Sequence, residues 1–480
     1  LAMQNADRVE EVVQYLKTDR MQTQIVYVDH HKAHAAFFFL SPYREAAILT
    51  CDGRGEEDTV TLSMGRECRI TELDRQVFPH SVGMLYGAVT QFLGFQRDSD
   101  EWKVMALYSY HAGLDNPCLD RMRKLVTLLP NGKFELNLNY FSYYLHDVKI
   151  WYSARFVAEF GKPRTSAEGY DERHIQIAHA LQMVTEEVMA HVLTHLHEST
   201  GCDAVVVSGG SFMNSVFNGK LTDRTPFRDV FVPSCPDDSG VSIGAALHVY
   251  HHVLAGTKRN VMIHNYYGPE FGDDEIRRVL DSYRLTYQVH ENVADYAAGL
   301  LADGRIIGWF QGRMEFGQRA LGNRSILADP RRPEMKEELN ARIKYREPFR
   351  PFAPAISREY VDEYFDVRGQ PDVPFMERVY MIREEKRRLI PAVTHVDGTG
   401  RLQTVDPATN RLFFEVISSF QKRTGIPLVL NTSFNLNGEP IVCSPTDAVR
   451  TFYSCGLDAL VIGRFVLEKG AGSRLSEPLP

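Results

Sequence analysis

The segment DAVVVSGGSFMNSVFNGKL, residues 203–221, constrains the fold of the chain more than any other. A buried run of β-branched residues leads into a glycine pair and then into a helical pattern, and a second strand, DVFVPS, follows it. Strands that alternate with helices in this way are typical of α/β domains. RIIGWFQG and TGIPLVLNTS continue the alternation further along, so we expect both halves of the chain to be α/β.

The length of 480 residues predicts two domains, because a single hydrophobic core stops growing well before that size. The polar, turn-rich segment at residues 255–275 has the composition of a linker. We therefore place a first domain at residues 1–258 and a second at 259–480. Residues 172–199 form the longest amphipathic helix candidate.

Charge and hydropathy exclude several classes of protein. A net charge of −8 argues against a general nucleic-acid binder, and no apolar run approaches the roughly 20 residues that a membrane span needs. The polar start of the chain does not resemble a secretory signal. The seven cysteines are dispersed without a CxxC pair, which favours a reducing cytoplasm over a disulfide framework or a zinc ribbon.

The segment VDHHKAHAA, residues 28–36, is a candidate metal site. TQIVYVDHH predicts a strand that runs into a helix, and on a helix His30 and His34 share one face whereas His31 points elsewhere. Two histidines do not complete a site, and carboxylates would be the natural complement for Fe²⁺ or Mn²⁺. An isolated pair is also typical of a structural or surface role, so the segment alone leaves both readings open.

Three further segments of the first half place polar groups beside glycines. CDGRGEED, residues 51–58, predicts a hairpin that presents Asp52, although a plain turn explains the same residues. Ser208-Gly209-Gly210 is expected to lie at a helix N-terminus, where anions bind, but it matches neither a Walker A loop nor GxGxxG. In CPDDSG, Asp237 or Asp238 could complete a metal site or cap the next helix.

The second half contains anion-binding residue types despite the acidic whole. GRMEFGQRALGNRSILADPR and ARIKYREPFRPFAP place arginines and lysines among Gly, Phe and Pro, and LVLNTSFNLNGEPI places small polar groups after a strand. Arginine recognises phosphate bidentately, and small amide and hydroxyl groups can complete such a pocket. A solvated basic face is the alternative, and the apolar neighbours of these residues argue against it.

Taken together, these motifs resemble the antibiotic and nodulation-factor O-carbamoyltransferases. The similarity extends from about residue 28 to about residue 467 and includes HHKAHAA, CDGRGE, EWKVMALY, VVVSGGSFMNSVFNGKL, DDSGVSIGAAL, GRMEFGQRALGNRSIL, KYREPFRPFAP, THVDGTGRLQTV and NTSFNLNGEPIV. The resemblance implies an actin/sugar-kinase/Hsp70-like (ASKHA) α/β first domain that contains a metal. It implies a YrdC-like α/β second domain that forms carbamoyl-adenylate.

The resemblance also implies the chemistry. The expected activity is ATP-dependent O-carbamoyl transfer from carbamoyl phosphate, through carbamoyl-adenylate, to a hydroxyl of a small-molecule natural product. The expected cofactors are Fe²⁺ or another divalent metal, ATP and Mg²⁺. The expected partner is the hydroxyl acceptor, with neither nucleic acid nor membrane involved. The expected compartment is the cytoplasm, and a homodimer is compatible with these expectations.

Site residues follow from the same resemblance. By position, the catalytic metal ligands are His30, His34, Asp52 and Asp238, with Asp237 as the rival of Asp238. The residues expected to bind the nucleotide and carbamoyl phosphate are Ser208, Gly209, Gly210, Asn214, Lys103, Arg319, Arg324, Lys344, Arg346, Arg350, Asn431, Ser433 and Asn435. Lys344-x-Arg346 and Ser433-x-Asn435 match the paired motif of the YrdC-like anion site, and a structural salt bridge is the alternative role of Lys103.

One departure and two alternatives accompany the resemblance. Members of the group begin with a strand bearing a Gly-x-x-x-His-Asp-like element that this chain does not show, so we expect its N-terminus to be incomplete. A relative acting on tRNA or in hydrogenase maturation would use the same adenylate, but the zinc fingers of the latter are not found here. A non-catalytic nucleotide-binding scaffold would be expected to have lost some of the site residues.

Overall fold

The computed structural model describes residues 25–111, 113, 115–347 and 349–469, together with residue 14. It is a mixed α/β structure, as the alternation of strands and helices predicts. Two large sheets organise it, one in the first half of the chain, up to residue 258, and one in the second half.

The first half contains a five-stranded sheet and a small two-stranded one. Its strands are β1 (Glu45–Gly55), β2 (Asp58–Arg66), β3 (Arg69–Val77), β4 (Val126–Leu128), β5 (Phe134–Leu136), β6 (Ala204–Ser208) and β7 (Asp229–Phe231). Its helices are α1 (His30–Ala35), α2 (Val82–Phe92), α3 (Glu101–Leu107), α4 (Leu119–Arg123), α5 (Ala154–Phe160), α6 (Glu172–Thr200), α7 (Ser215–Arg224) and α8 (Val241–His248).

The second half contains a ten-stranded sheet. Its strands are β8 (Gln288–Val289), β9 (Ile307–Phe310), β10 (Arg324–Ala328), β11 (Ala353–Ser357), β12 (Phe365–Asp366), β13 (Arg378–Ile382), β14 (Thr399–Val405), β15 (Leu428–Ser433), β16 (Ala459–Ile462) and β17 (Phe465–Glu468). Its helices are α9 (Asp273–Ser282), α10 (Val293–Ala302), α11 (Met335–Leu339), α12 (Val361–Tyr364), α13 (Glu384–Arg387), α14 (Arg411–Thr424) and α15 (Pro445–Tyr453).

Short helical turns of other kinds lie between these elements. The 3₁₀ turns are Ala36–Leu40, Tyr108–Tyr110, Leu138–Tyr140, Gly210–Met213, Asp238–Gly240, Arg358–Tyr360 and Pro391–Val393, and π-helical turns extend α8 at Val249–Val253 and α11 at Asn340–Lys344. Residues 254–272 form neither helix nor strand, in keeping with the composition of the predicted linker. The strand expected just before His30 is not formed in residues 25–29.

The order of the first sheet is β3-β2-β1-β6-β7. β1 to β3 form an antiparallel meander, which confirms the hairpin predicted from CDGRGEED, and β6 and β7 add to β1 in parallel. The parallel register pairs Thr50 with Ser208. Asp52 and the glycine turn after Ser208 therefore leave the sheet at the same edge.

The two halves pack against each other through apolar side chains. The buried run Phe37–Phe39 is fully inaccessible and shares a core with Ala353 and Phe375 of the second half. Phe349, also from the second half, belongs to the main core of the first half. The two sheets are thus held in contact by burial of apolar surface.

Among the residues that the structure describes, no helix combines the length and the apolar character required to cross a membrane.

Candidate active site

Four side chains converge at the edge of the first sheet. His30 and His34 lie on the same face of α1, one helical turn apart. Asp52 lies near the end of β1, and Asp238 begins the turn that leads into α8. One ligand atom from each of the four lies within 4.8 Å of the others, so the group that the sequence predicted is brought together.

Two glycines allow this convergence. A Cβ at Gly244 of α8 would lie 2.0 Å from the carbonyl oxygen of Ala33, so only glycine lets α8 lie directly against α1. Gly209 has φ of 100°, and a Cβ there would lie 2.2 Å from the carbonyl oxygen of Cys51. The turn after β6 therefore lies immediately beside Asp52.

The distances within the group are short. Asp52 Oδ2 lies 3.1 Å from His30 Nε2 and 3.0 Å from His34 Nε2. The two Nε2 atoms lie 3.1 Å apart, and Asp238 Oδ1 lies 3.2 and 3.5 Å from them. All four groups thus direct a polar atom towards one point.

These spacings fit a single divalent ion. Atoms bonded to one ion at about 2.1 Å lie about 3.0 Å apart at right angles and about 3.4 Å apart at tetrahedral angles. Two imidazoles and two carboxylates form a donor set that suits borderline divalent metals. The Asp238 side chain is 71% exposed whereas His34 is fully buried, so the group opens to solvent on the Asp238 side.

The electrostatics of the group favour positive charge at its centre. Burial opposes a charge on His30, but hydrogen bonds to Asp238 and Asp52 outweigh it and raise its pKa to about 10. The pKa of His34 is raised in the same way against its burial. The hydrogen bonds of Asp238 to the two histidines lower its pKa. Burial opposes a charge on Asp52, but its own hydrogen bonds to the same histidines outweigh this and lower its pKa as well. A divalent cation can take the place of the ring protons.

Ser208 orients one of the candidate ligands. Its hydroxyl lies 3.2 Å from the carbonyl oxygen of Pro236, to which it donates, and 3.3 Å from His34 Nδ1. The hydroxyl oxygen then accepts the Nδ1 proton of His34, which leaves the Nε2 lone pair facing the group. These contacts place Ser208 behind His34, and its role in anion binding stays a prediction.

Two neighbours do not join the group. His31 is buried, with Nδ1 2.5 Å from Thr50 Oγ1 and Nε2 3.1 Å from the carbonyl oxygen of Asp58, and burial lowers its pKa to about 4. Asp237, the rival of Asp238, accepts a hydrogen bond from Ser239 Oγ at 2.6 Å. Both therefore have structural contacts away from the four ligand atoms.

The glycine turn differs from the predicted helix N-terminus. Gly209 and Gly210 lead into a 3₁₀ turn, and α7 begins only at Ser215. Asn214 caps that helix, since its Oδ1 accepts from the backbone N–H of Phe217 at 3.1 Å. Asparagine is one of the residues preferred at this position, and the ligand-binding role of Asn214 stays a prediction.

A second polar site lies at the end of β15. Lys344 is buried and donates to Ser433 Oγ at 3.3 Å and to Asn435 Oδ1 at 2.8 Å, and also to the backbone carbonyl oxygens of both residues. Burial, followed by the charges of Arg346 and Arg350, holds the pKa of Lys344 well below its usual range. The two motifs matched by sequence, Lys344-x-Arg346 and Ser433-x-Asn435, therefore meet in space.

Three arginines form a basic cluster with this lysine, because Arg401 lies within reach of the charges of Arg319 and Arg346, and Lys344 within reach of that of Arg346. Burial and the charges of Arg319 and Arg346 hold the pKa of Arg401 well below its usual range. Burial lowers the pKa of Arg319 to about 10 and, with the charge of Arg350, that of Arg346 to about 9. Arg401 Nε is buried without a partner among the described residues. Like charges at this density favour a bound anion.

Arg401 is a residue that the sequence reasoning missed. It lies in the quoted motif THVDGTGRLQTV, but a single arginine on a strand has no local pattern that marks it as a ligand. Its significance arises only when β14 brings it beside Arg319 and Arg346, which are distant in sequence.

Three predicted binding residues have structural contacts instead. Arg324 is fully buried, and its Nη atoms donate to backbone carbonyl oxygens, including that of Gln311 at 2.6 Å. Asn431 is buried and donates to Gln403 Oε1 at 2.8 Å. Lys103 pairs with Asp100 at 3.0 Å and not with the basic cluster. The donors cited here bond within the protein, whereas Arg324 Nε is buried without a partner among the described residues.

The loop that bears Arg319 approaches the first site across the interface between the halves. The negative charge of Asp237 in the first half, next to the candidate ligand Asp238, is the largest of the charges that offset the burial of Arg319. Gln318, the residue before that arginine, donates to the sulfur of Met213 at 2.9 Å. The loop with Arg319 therefore lies against the turns that surround the histidine–aspartate group.

Two family models match the chain. The model described as "Carbamoyltransferase N-terminus" matches residues 5–247, and the model described as "Carbamoyltransferase C-terminus" matches residues 298–469. Together they include both sites described above.

Individual relatives agree with these models. The nodulation protein NolNO of Sinorhizobium fredii is 38% identical over 98% of this chain and 68% of its own length. An uncharacterized protein of Synechocystis sp. is 38% identical over 93% of this chain and 77% of its own. The 3'-hydroxymethylcephem-O-carbamoyltransferase of Amycolatopsis lactamdurans is 34% identical over 55% of this chain and 49% of its own.

One solved structure shows only a weak likeness. A crystal structure of full-length HypF in the phosphate- and nucleotide-bound form has a TM-score of 0.27 and 15% identity, over 51% of this chain and 45% of that chain. At this score, the likeness supports no conclusion about fold or function.

Proposed function

Because this chain belongs to the carbamoyltransferase family and is therefore a transferase enzyme, we propose that it is an ATP-dependent O-carbamoyltransferase. It makes carbamoyl-adenylate from carbamoyl phosphate and ATP, and transfers the carbamoyl group to a hydroxyl of a small molecule. The observation that supports this most directly is the basic cluster, in which Arg401 lies within reach of the charges of Arg319 and Arg346, and Arg346 also within reach of Lys344. A bound polyphosphate can neutralise this assembly of basic groups.

The proposed domain identities follow the same reasoning. We assign the ASKHA-like domain to residues 1–258 and the YrdC-like domain to residues 259–480. The three antiparallel and two parallel strands of the first sheet, with the candidate metal ligands at its edge, support the first assignment. The meeting of Lys344 with Ser433 and Asn435 supports the second.

The first step takes place at the basic cluster. Carbamoyl phosphate reacts with water to give carbamate and phosphate, a carbamate oxygen attacks the α-phosphorus of ATP, which enters as its Mg²⁺ complex, and pyrophosphate leaves. Arg319, Arg346 and Arg401 hold the phosphate oxygens, and Lys344 fixes the loop of Ser433 and Asn435 against them. Enclosure of the activated intermediate between the halves during transfer would limit its hydrolysis.

The second step takes place at the histidine–aspartate group. His30, His34, Asp52 and Asp238 would hold a divalent metal, for which we propose Fe²⁺, and such an ion supplies Lewis-acid stabilisation of charge on the carbamoyl oxygen. The acceptor hydroxyl attacks the carbamoyl carbon, loses its proton to solvent or a nearby base, and AMP leaves. The exposed Asp238 side of the group is where the acceptor can enter.

The acceptor class is proposed from the relatives. The printed name of one relative specifies O-carbamoylation of a 3'-hydroxymethylcephem, which is a small molecule with a primary hydroxyl. We infer a small hydroxylated acceptor here as well. The net charge of −8 favours this over a nucleic-acid acceptor.

Release of products without an acceptor tests the proposal. Incubation of the protein with ATP and carbamoyl phosphate should give phosphate and pyrophosphate in equal amounts, and omission of either substrate should abolish pyrophosphate. Pyrophosphate release that does not depend on carbamoyl phosphate would contradict the proposed first step. Screening hydroxylated small molecules for a carbamoyl mass gain then identifies the acceptor.

A further inference from the structure

The segment 345–352 bears Arg346 of the basic cluster and Arg350, whose charges both act on Lys344, but it has no regular secondary structure in its described part. It begins where Lys344 ends a π-helical turn, and Tyr345 takes a left-handed conformation with φ of 43°. Strand pairing therefore does not fix the positions of Arg346 and Arg350. Tertiary contacts must do so instead.

Part of that anchoring comes from the core of the first half. Phe349 is only 8% exposed and packs among residues of the first half's main core. Its ring centroid lies 5.2 Å from that of Tyr170 and 6.3 Å from that of Tyr110, both in edge-to-face geometry. The loop is thus pinned by apolar burial in the opposite half of the chain.

Within the second half, Arg346 Nε donates to Asn340 Oδ1 at 2.8 Å, and further anchoring comes from α3. The Arg350 guanidinium carbon lies 3.9 Å from the ring centroid of Trp102. The next residue of the helix, Lys103, lies 3.5 Å from Glu347, which in turn accepts from Arg350 at 3.2 Å. Lys103 is itself held by Asp100 at 3.0 Å. These side chains are mostly buried, so solvent screens the contacts weakly.

We infer that Trp102 and Lys103 are positioning residues for the adenylate-forming site of the second half. They hold Arg350 and Glu347, and with them the loop that presents Arg346 beside Lys344. The two halves are then functionally coupled, because the basic cluster is in place only while its loop is docked on α3. This inference rests on the proposed function of the basic cluster.

The variant Trp102→Leu tests this inference, since it keeps an apolar side chain but removes the aromatic face under Arg350. We expect the KM for ATP in pyrophosphate release to rise about tenfold, with kcat changed less than threefold, because the loop binds phosphate but forms no bonds in the reaction. Trp102→Tyr should restore the KM to within about threefold. Trp151→Leu is the matched control, because it removes a cation–π contact, to Arg97 at 4.4 Å, that involves no residue of the second half.

Two readouts are independent of turnover. Calorimetric ATP binding should weaken about tenfold in Trp102→Leu, and trypsin should cleave after Lys344 and Arg346 faster than in the wild type. Metal content should not change. The inference would be overturned if Trp102→Leu kept the wild-type KM, ATP affinity and cleavage rate. It would also be overturned if Trp102→Leu lost all activities to the same extent and Trp102→Tyr did not restore them.

Failure of the proposed function gives a different result. In that case the wild-type protein would release no pyrophosphate, while accelerated tryptic cleavage in Trp102→Leu would still show that α3 holds the loop. Unchanged cleavage in that variant would overturn the inference regardless of the activity.

Discussion

The Nε2 atoms of His30 and His34 lie 3.1 Å apart, and Asp52 Oδ2 lies within 3.1 Å of both. Two basic nitrogens and a carboxylate oxygen rarely approach so closely unless a proton or a cation lies among them. The spacing is produced by the fold, because α1, β1 and the turn before α8 each fix one side of the group.

Removal of both imidazoles should abolish metal binding. We expect the double variant His30→Ala/His34→Ala to lose at least 90% of the metal found in the wild type, because two carboxylates alone form a weak site. His31→Gln, on the same helix, should keep its metal, since His31 contacts Thr50 instead. Elemental analysis of the purified proteins measures both; full metal content in the double variant would show that the ligands lie elsewhere.

Loss of the Ser208 hydroxyl should weaken the site without removing a ligand. Ser208→Ala leaves His34 Nδ1 without its partner at 3.3 Å, so the ring loses the bond that sets its tautomer. Such outer contacts typically contribute 10- to 100-fold in metal affinity. Competition with a metal-chelating dye should show a loss of that size, and Ser239→Ala, which alters only the hydrogen bond to Asp237, should not.

Removal of one guanidinium from the basic cluster should impair adenylate formation. In Arg401→Met we expect pyrophosphate release to fall at least 100-fold, because a charge-assisted contact to phosphate contributes about 3 kcal/mol in an enclosed site. Arg411→Met, which removes an exposed arginine paired with Glu415, is the control. Equal rates for the two variants would mean that Arg401 does not contact the substrate.

The sequence predicted the parts of these sites that have local patterns. The spacing of His30 and His34 indicates a shared helical face, and the run before Asp52 indicates a strand end. The glycine turn after Ser208 was also recognisable, but the sequence did not show that six residues separate that serine from the start of α7. Helix 172–199 was predicted almost completely and is observed as Glu172–Thr200.

The remainder depends on contacts between distant segments. The residues around Arg324 in the sequence are of the kind expected around an arginine that binds phosphate. In the structure, however, its Nη atoms donate to backbone carbonyl oxygens inside the protein. Arg401 and the stacking of Arg350 on Trp102 become visible only when the halves are packed together. Neither contact can be predicted from the spacing of residues in the sequence. That spacing reveals the faces of single helices and strands, whereas contacts between distant segments follow no fixed spacing.

Glu377 should make stability depend on pH. Burial raises its pKa to about 7, so the folded protein holds this proton more tightly than the unfolded chain. The resulting stabilisation is complete below about pH 4.5 and is lost as the pH rises through 7. Relative to the wild type, Glu377→Gln should gain up to about 3 kcal/mol in free energy of unfolding between pH 4.5 and pH 8. Urea titrations at both pH values measure the difference in free energy of unfolding between Glu377→Gln and the wild type. If that difference is the same at both pH values, the pKa of Glu377 is not raised.

The central claim is that one chain contains two sites that perform successive steps. The most direct measurement follows pyrophosphate and carbamoylated product from ATP and carbamoyl phosphate in two variants, with an acceptor that the wild type uses. The double variant His30→Ala/His34→Ala should still release pyrophosphate but form less than 1% of the product that the wild type forms. Lys344→Met should neither release pyrophosphate nor form product. Two results would contradict the assignment of the two steps to the two sites. One is a loss of pyrophosphate release in a double variant that is correctly folded, and the other is product formation by Lys344→Met.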